Sequence, residues 1–206
     1  DRILVGKQQT GLDNRPAKES RLAFEGEGKS MKKVLYMLGE FTDQDVDWLI
    51  GAGRRQHVAE GTTLIQQGEP IEEVFFVLRG LFGVSINGSV EIAQIGSGEI
   101  VGELSFLDSR PPNATVVALN SSIVMAVPKQ RVDGRLRTDT AFSSRFYRAL
   151  GLLLADRLRE SVGQLAYGGQ QGLSEEDDPR ELSPELLDRL NLSAQRFEQI
   201  RMRLLD

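Results

Sequence analysis

Residues 98–117 read Gly-Glu-Ile-Val-Gly-Glu-Leu-Ser-Phe-Leu-Asp-Ser-Arg-Pro-Pro-Asn-Ala-Thr-Val-Val. The order predicts a turn, a one-turn helix and a Pro-bounded loop set between two strands. A helix start leaves backbone N–H groups unpaired and carries a partial positive charge. Gly102, which lets a ligand approach the backbone, and the amides of Glu103, Leu104 and Ser105 therefore form a candidate cradle for an anion or phosphate. An ordinary tight connection between strands is the alternative that the spacing leaves open.

The flanking segments point to a β fold. Upstream run Glu73–Gly80, Phe82–Ile86 and Val90–Ile95; downstream run Ala114–Ala118 and Ile123–Val127. β-branched and aromatic residues dominate them, alternation shows at Val84/Ile86 and Val90/Ile92, and Asn87-Gly88 is the two-residue hairpin signal. Short strands at this close, regular spacing predict an antiparallel β-barrel or jelly roll.

Over roughly residues 40 to 165 the chain resembles the cyclic nucleotide-binding domain family. The matching features are Gly61 and Thr62 before a strand, Gln67-Gly-Glu-Pro70, Val77-Leu-Arg-Gly80, and the cassette Gly102-Glu-Leu104 followed by Pro111 and Ala114-Thr115. The resemblance implies that Glu103 accepts a hydrogen bond from a ribose 2′-hydroxyl, while helix amides and an arginine clasp the cyclic phosphate of cAMP or cGMP. Here the cassette departs from the family. Pro112 occupies the place of that arginine and offers neither charge nor N–H. Loss of a charge-assisted contact of about 1.5–3 kcal/mol predicts roughly one to two decades of lost affinity. Arg110 is the candidate replacement, against the alternative of a solvated arginine paired with Asp108. Asn113, Ala114 and Thr115 complete the candidate ligand-binding set, with Asn113 and Thr115 as donors to a less charged ligand or as ties for the turn.

Composition fits a regulatory module. The chain has 206 residues, 40% of them hydrophobic, and a formal charge of −5, which gives no general pull toward nucleic acid or an anionic membrane. With no cysteine there are no disulfides or thiolate metal sites, and the single histidine, His57, has no second imidazole with which to hold a metal. No Walker loop, nucleophile elbow or distinctive carboxylate pair appears, so the expectation is a protein that is not an enzyme. The absence of a signal-type or membrane-spanning apolar run predicts a cytoplasmic location and no membrane partner.

Along the chain, residues 1–30 read as a mobile arm or leader, 31–166 as the cyclic nucleotide-binding-like domain with its helical flanks, 167–182 as a linker and 183–206 as a helical tail. Met31–Leu38 suggests a short helix. Thr42 suits an N-cap for a helix running to about Gly53, with Asp43 and Asp45 in its first turn. Pro128 precedes a short helical turn. A long helix follows over residues 140–166, whose apolar positions Phe142, Phe146, Leu150, Leu153, Leu154, Leu158, Val162 and Leu165 exceed one seam. That width predicts packing on the barrel together with a homodimer partner or another protein, against burial wholly on its own barrel. In the tail, Asn191 falls where a turn residue would separate two short helices, so residues 184–205 carry the rhythm of a minimal helix-turn-helix. Balanced charge makes DNA an unfavoured partner.

The sequence thus predicts a mainly β fold with flanking helices, a long C-terminal helix and a small helical tail, acting as a non-enzymatic sensor with cAMP or cGMP as candidate ligand. Two alternatives stand beside it: a ligand-independent scaffold or dimerisation module, and a transcription regulator reading DNA with its tail.

Overall fold

The computed structural model describes residues 37–88, 91–108, 110–166 and 184–205. The expected arm, the expected linker and most of the Met31–Leu38 helix lie outside those residues. Among the described residues eight strands form two antiparallel sheets: β1 (Arg54–Val58), β2 (Thr63–Ile65), β3 (Glu73–Arg79), β4 (Leu81–Ser85), β5 (Glu91–Gly96), β6 (Ile100–Val101), β7 (Thr115–Ala118) and β8 (Ser122–Pro128). Their order is β1-β8-β3-β6 in one sheet and β2-β7-β4-β5 in the other. This is the expected jelly-roll arrangement. The turn residues Asn87 and Gly88 take the expected positive φ, 55° and 65°, while the pairing of β4 with β5 ends at Ser85↔Glu91, with a register shift beside it.

The central strands β3 and β8 of the first sheet are apolar on both faces, which explains the unbroken runs Val74-Phe-Phe-Val-Leu78 and Ile123-Val-Met-Ala-Val127. Phe75, Val77, Val124 and Ala126 point into the space between the sheets, where they meet Ile65, Phe82 and Val116 of the second sheet. Val74, Phe76, Leu78, Ile123, Met125 and Val127 point the other way, into a layer of helices. That second layer makes the barrel a base on which helices are arranged.

The layer includes α1 (Asp43–Ala52), α2 (Lys129–Thr138), α3 (Thr140–Ala166) and α4 (Pro184–Leu205), with Met37 and Leu38 of the preceding helical turn buried among them. Helix α1 starts in a capping box. The Thr42 hydroxyl accepts from the Asp45 amide at 3.2 Å, and the Asp45 carboxylate accepts from the Thr42 amide at 2.9 Å. After Pro128 comes a ten-residue helix where a short turn was expected. Asp139 separates α2 from α3. Its amide donates to the Arg135 carbonyl at 2.8 Å, ending one helix, while its carboxylate accepts from the Phe142 amide at 2.8 Å, starting the next. Phe142, Phe146, Leu150 and Leu153 of α3 are buried on the barrel, whereas Leu158 and Val162 are exposed at 65% and 54%.

The tail departs from its reading. Pro184–Leu205 is one helix of 22 residues, with no turn at Asn191, so the helix-turn-helix expectation is overturned. Asn191 is exposed, and a solvated asparagine lowers helix propensity by well under ~1 kcal/mol. The stripe of Phe197 and Ile200 buried in the helical layer supplies more than that. The arginines that would have faced DNA are held by carboxylates: Arg196 by Asp43, Arg201 by Glu198 and Arg203 by Asp47.

Candidate functional site

The cassette follows β6. Gly102 adopts φ 88° and ψ 0°, and a one-turn helix over Glu103–Phe106 starts from it. A side chain at Gly102 would be strained by that φ, and its Cβ would lie 2.7 Å from Ile71 Cδ1. The tight helical ladder begins only at Ser105, whose amide donates to the Gly102 carbonyl at 3.3 Å and whose hydroxyl donates to the same oxygen at 2.5 Å. Ser105 thus serves the turn, and the amides of Glu103 and Leu104 precede the ladder. The Leu104 side chain is exposed.

Glu103 is 2% exposed, and its carboxylate meets Arg157 of α3. The same guanidinium donates to the Ile100 carbonyl at 2.7 Å. One arginine from the long helix therefore ties together the last strand before the cassette and the cassette acid. Burial pushes the Glu103 carboxyl above its ordinary value of 4.5, against the pull of Arg157 and of its own backbone amide.

The far end of the cassette is placed differently. Arg110 is 83% exposed and its Nε lies 3.6 Å from Asp108, a loose surface pairing. The Pro112 carbonyl accepts from the Gly68 amide at 2.9 Å, and the Thr115 hydroxyl accepts from the Gln67 amide at 3.1 Å. These bonds stitch the Pro-rich loop to the connection between β2 and β3. Asn113 is exposed and Ala114 half-buried beside them. A cleft of about 500 Å³ opens along β2 and that connection, with Ile65 and Ile71 in its wall, and both pack against Gly102. The structure thus brings Gly102, Glu103, Leu104 and Ser105 together beneath α3, while Arg110 stands out in solvent.

This fold and cassette can be set beside known proteins. Residues 55–139 match the sequence model of the cyclic nucleotide-binding domain. Over that stretch the chain is similar to the cyclic nucleotide-binding domain. Relatives of the domain include the Pycsar effector protein XpPycTIR of Xanthomonas perforans, 34% identical over 80 residues that cover 38% of this chain and 26% of that protein. A cAMP-dependent protein kinase regulatory subunit of Debaryomyces hansenii is 28% identical over 109 residues, covering 53% and 23%. The chain spans about a quarter of the length of these relatives. Among solved structures, a cyclic nucleotide-binding domain from Methylobacillus flagellatus superposes with a TM-score of 0.60 at 22% identity, over 71% of this chain and 88% of that one. The Thermus thermophilus catabolite activator protein gives 0.54 at 20% identity, over 82% and 85%. At such identities the likeness establishes the fold.

The sequence reads Arg157, with Arg145, Arg148 and Arg159, as lying off the apolar face of the long helix; the structure instead turns it toward buried Glu103, and a signal for that exists. The buried stripe Phe142, Phe146, Leu150, Leu153 reaches position 157 at its next four-residue step, so an arginine stands where the face predicts an apolar side chain. A charge on a buried helical face implies a buried partner. Among the described residues, no group of three or more His, Cys, Asp or Glu side chains is placed to hold a metal, and no helix is long and apolar enough to cross a membrane.

Proposed function

We propose that this domain is a non-enzymatic cytoplasmic sensor that takes a cyclic nucleotide or a closely related nucleotide in the cassette, and that occupancy repositions α3. The observation that carries the reading is the Arg157 contact, in which the long helix closes on the cassette acid. A ribose hydroxyl arriving at Glu103 competes with or shares that guanidinium, so binding changes the hold on α3. The amides of Glu103 and Leu104 face the phosphate side, with Ser105, Asn113, Ala114 and Thr115 shaping the wall, and Arg110 is drawn in from solvent to supply the charge that Pro112 lacks. The exposed half of α3, with Leu158 and Val162, then serves a second copy or a downstream protein. Calorimetric titration with cAMP, cGMP and cyclic dinucleotides tests this. Heat with one of them and its loss in Glu103→Ala support the sensor, and silence with all of them removes it.

A second reading is favoured by one observation. Arg110 at 83% exposure and Pro112 in the arginine's place leave the phosphate end without a seated cation among the described residues. On that reading the domain is a scaffold that keeps Glu103 and Arg157 as a permanent internal tie. A melting temperature unmoved by saturating nucleotide is its expected signature.

A further inference from the structure

Helix α1 carries Asp45, fully buried, at the point where α2 meets α3. Its two oxygens receive four hydrogen bonds: Oδ2 from the Thr42 amide at 2.9 Å and Arg145 Nε at 2.8 Å, Oδ1 from Arg135 Nη2 at 2.6 Å and Arg145 Nη2 at 3.2 Å. A carboxylate offers about four lone-pair sites, so this one is filled. Arg135 is further held by the faces of Trp48 and Phe142, at 4.7 and 4.0 Å from the ring centroids, and by Asp139 at 3.2 Å. The donors come from three segments, the α1 cap, α2 and α3, and the elbow residue Asp139 belongs to the same cluster.

We infer that Asp45 is the positioning residue for Arg157: it fixes the rotation and axial register of α3, and thereby decides whether the Glu103 carboxylate is covered. Apolar packing of Phe142, Phe146 and Leu150 holds α3 on the barrel but is non-directional, and a small roll or slide conserves most of it. The two-pronged Arg145 contact is directional and does not survive such a movement. Arg145 and Arg157 lie on one helix, about 18 Å apart along its axis, so a turn of the helix at the first displaces the second. The other directional tie, from Arg157 to Glu103 and the Ile100 carbonyl, is the contact being positioned; Arg148 pairs with Glu40 at 2.9 Å with its side chain 62% exposed, an arrangement of little weight. The consequence for ligand binding rests on the sensor reading, whereas the positioning of α3 stands apart from it.

Amide hydrogen exchange on the full chain without nucleotide tests the positioning. In Asp45→Asn, which keeps the shape and loses the charge, exchange over residues 154–162 is expected to accelerate about tenfold relative to β3 and β8. Arg157→Gln gives the same local acceleration, and the double variant adds nothing over residues 154–162. If Asp45→Asn fails to fold, Arg145→Gln removes only the α3 arm and carries the same expectation. Exchange over 154–162 unchanged relative to the strands, or rising equally everywhere, overturns the inference. Titration of cAMP into the same proteins separates the two claims. Binding to the wild type with an affinity that Asp45→Asn leaves unaltered cuts the link to the cassette. Absence of binding in every variant removes the sensor reading, and the exchange data still decide the role of Asp45.

Discussion

Asp45 and Glu103 are carboxylates closed off from water, at 0% and 2% exposure, and α3 sends a guanidinium to each. At Asp45, burial favours the protonated form, yet the bonds from Arg145 and Thr42 together hold the carboxyl below its ordinary value of 3.8. At Glu103 burial wins over Arg157 and the carboxyl sits above its ordinary 4.5. The difference is one of saturation. Asp45 receives three donors from two arginines and a fourth from the cap, while Glu103 receives one side-chain donor among the described residues. A filled acid locks structure; a half-filled acid retains capacity for an incoming hydroxyl.

Substitutions should separate the two roles sharply. Asp45→Ala takes from Arg145 its buried carboxylate and leaves Arg135 with Asp139 as its acid, and should cost about 3–5 kcal/mol, read from the midpoint of urea unfolding. Arg157→Gln leaves a buried acid without its cation, but Glu103, already inclined to hold a proton, can neutralise. The loss should stay near 1–3 kcal/mol. An Arg157→Gln loss as large as that of Asp45→Ala would erase the distinction and make both sites structural. Glu103→Gln keeps an acceptor for Arg157 and should change stability by less than about 1 kcal/mol. On the sensor reading the same change weakens nucleotide binding by roughly tenfold, the equivalent of one lost charged hydrogen bond.

The two acids also differ in how far the sequence disclosed them. Gly102-Glu-Leu104 was legible because a left-handed glycine before a short helix leaves a local signature, and the Asn87-Gly88 hairpin was legible for the same reason. Strand β1, Arg54-Arg-Gln-His-Val58, has no apolar alternation because it is an edge strand with mostly exposed side chains, and only its pairing with β8 makes it a strand. The two-residue β6 is too short to carry a period at all. Asp45 read as a first-turn acid suited to a helix start, which is true, but its partners lie 90 and 100 residues away. Such a contact has no local periodicity to betray it. The tail failed for the opposite reason: Asn191 is a real local turn signal, outweighed by burial of Phe197 and Ile200 against a helix far away in sequence.

The pH dependence of stability distinguishes the two acids by sign, with the smallest amplitude of these effects. Asp45 has its folded pKa below the unfolded value, so its stabilisation is complete above 3.8 and is lost as pH falls through the lower folded value. The stability gap between wild type and Asp45→Asn should therefore be constant near neutrality and close only in strong acid. Glu103 has its folded pKa above the unfolded value of 4.5, so the folded state takes up the proton first on acidification. Wild type should gain on Glu103→Gln as pH falls through that raised pKa toward 4.5, because the cost of burying the charge disappears with the charge. Urea unfolding of the three proteins across the acid range measures both gaps on one scale. If the Glu103 gap moves in the same direction as the Asp45 gap, Arg157 dominates the cassette acid, and the half-filled site becomes a second lock.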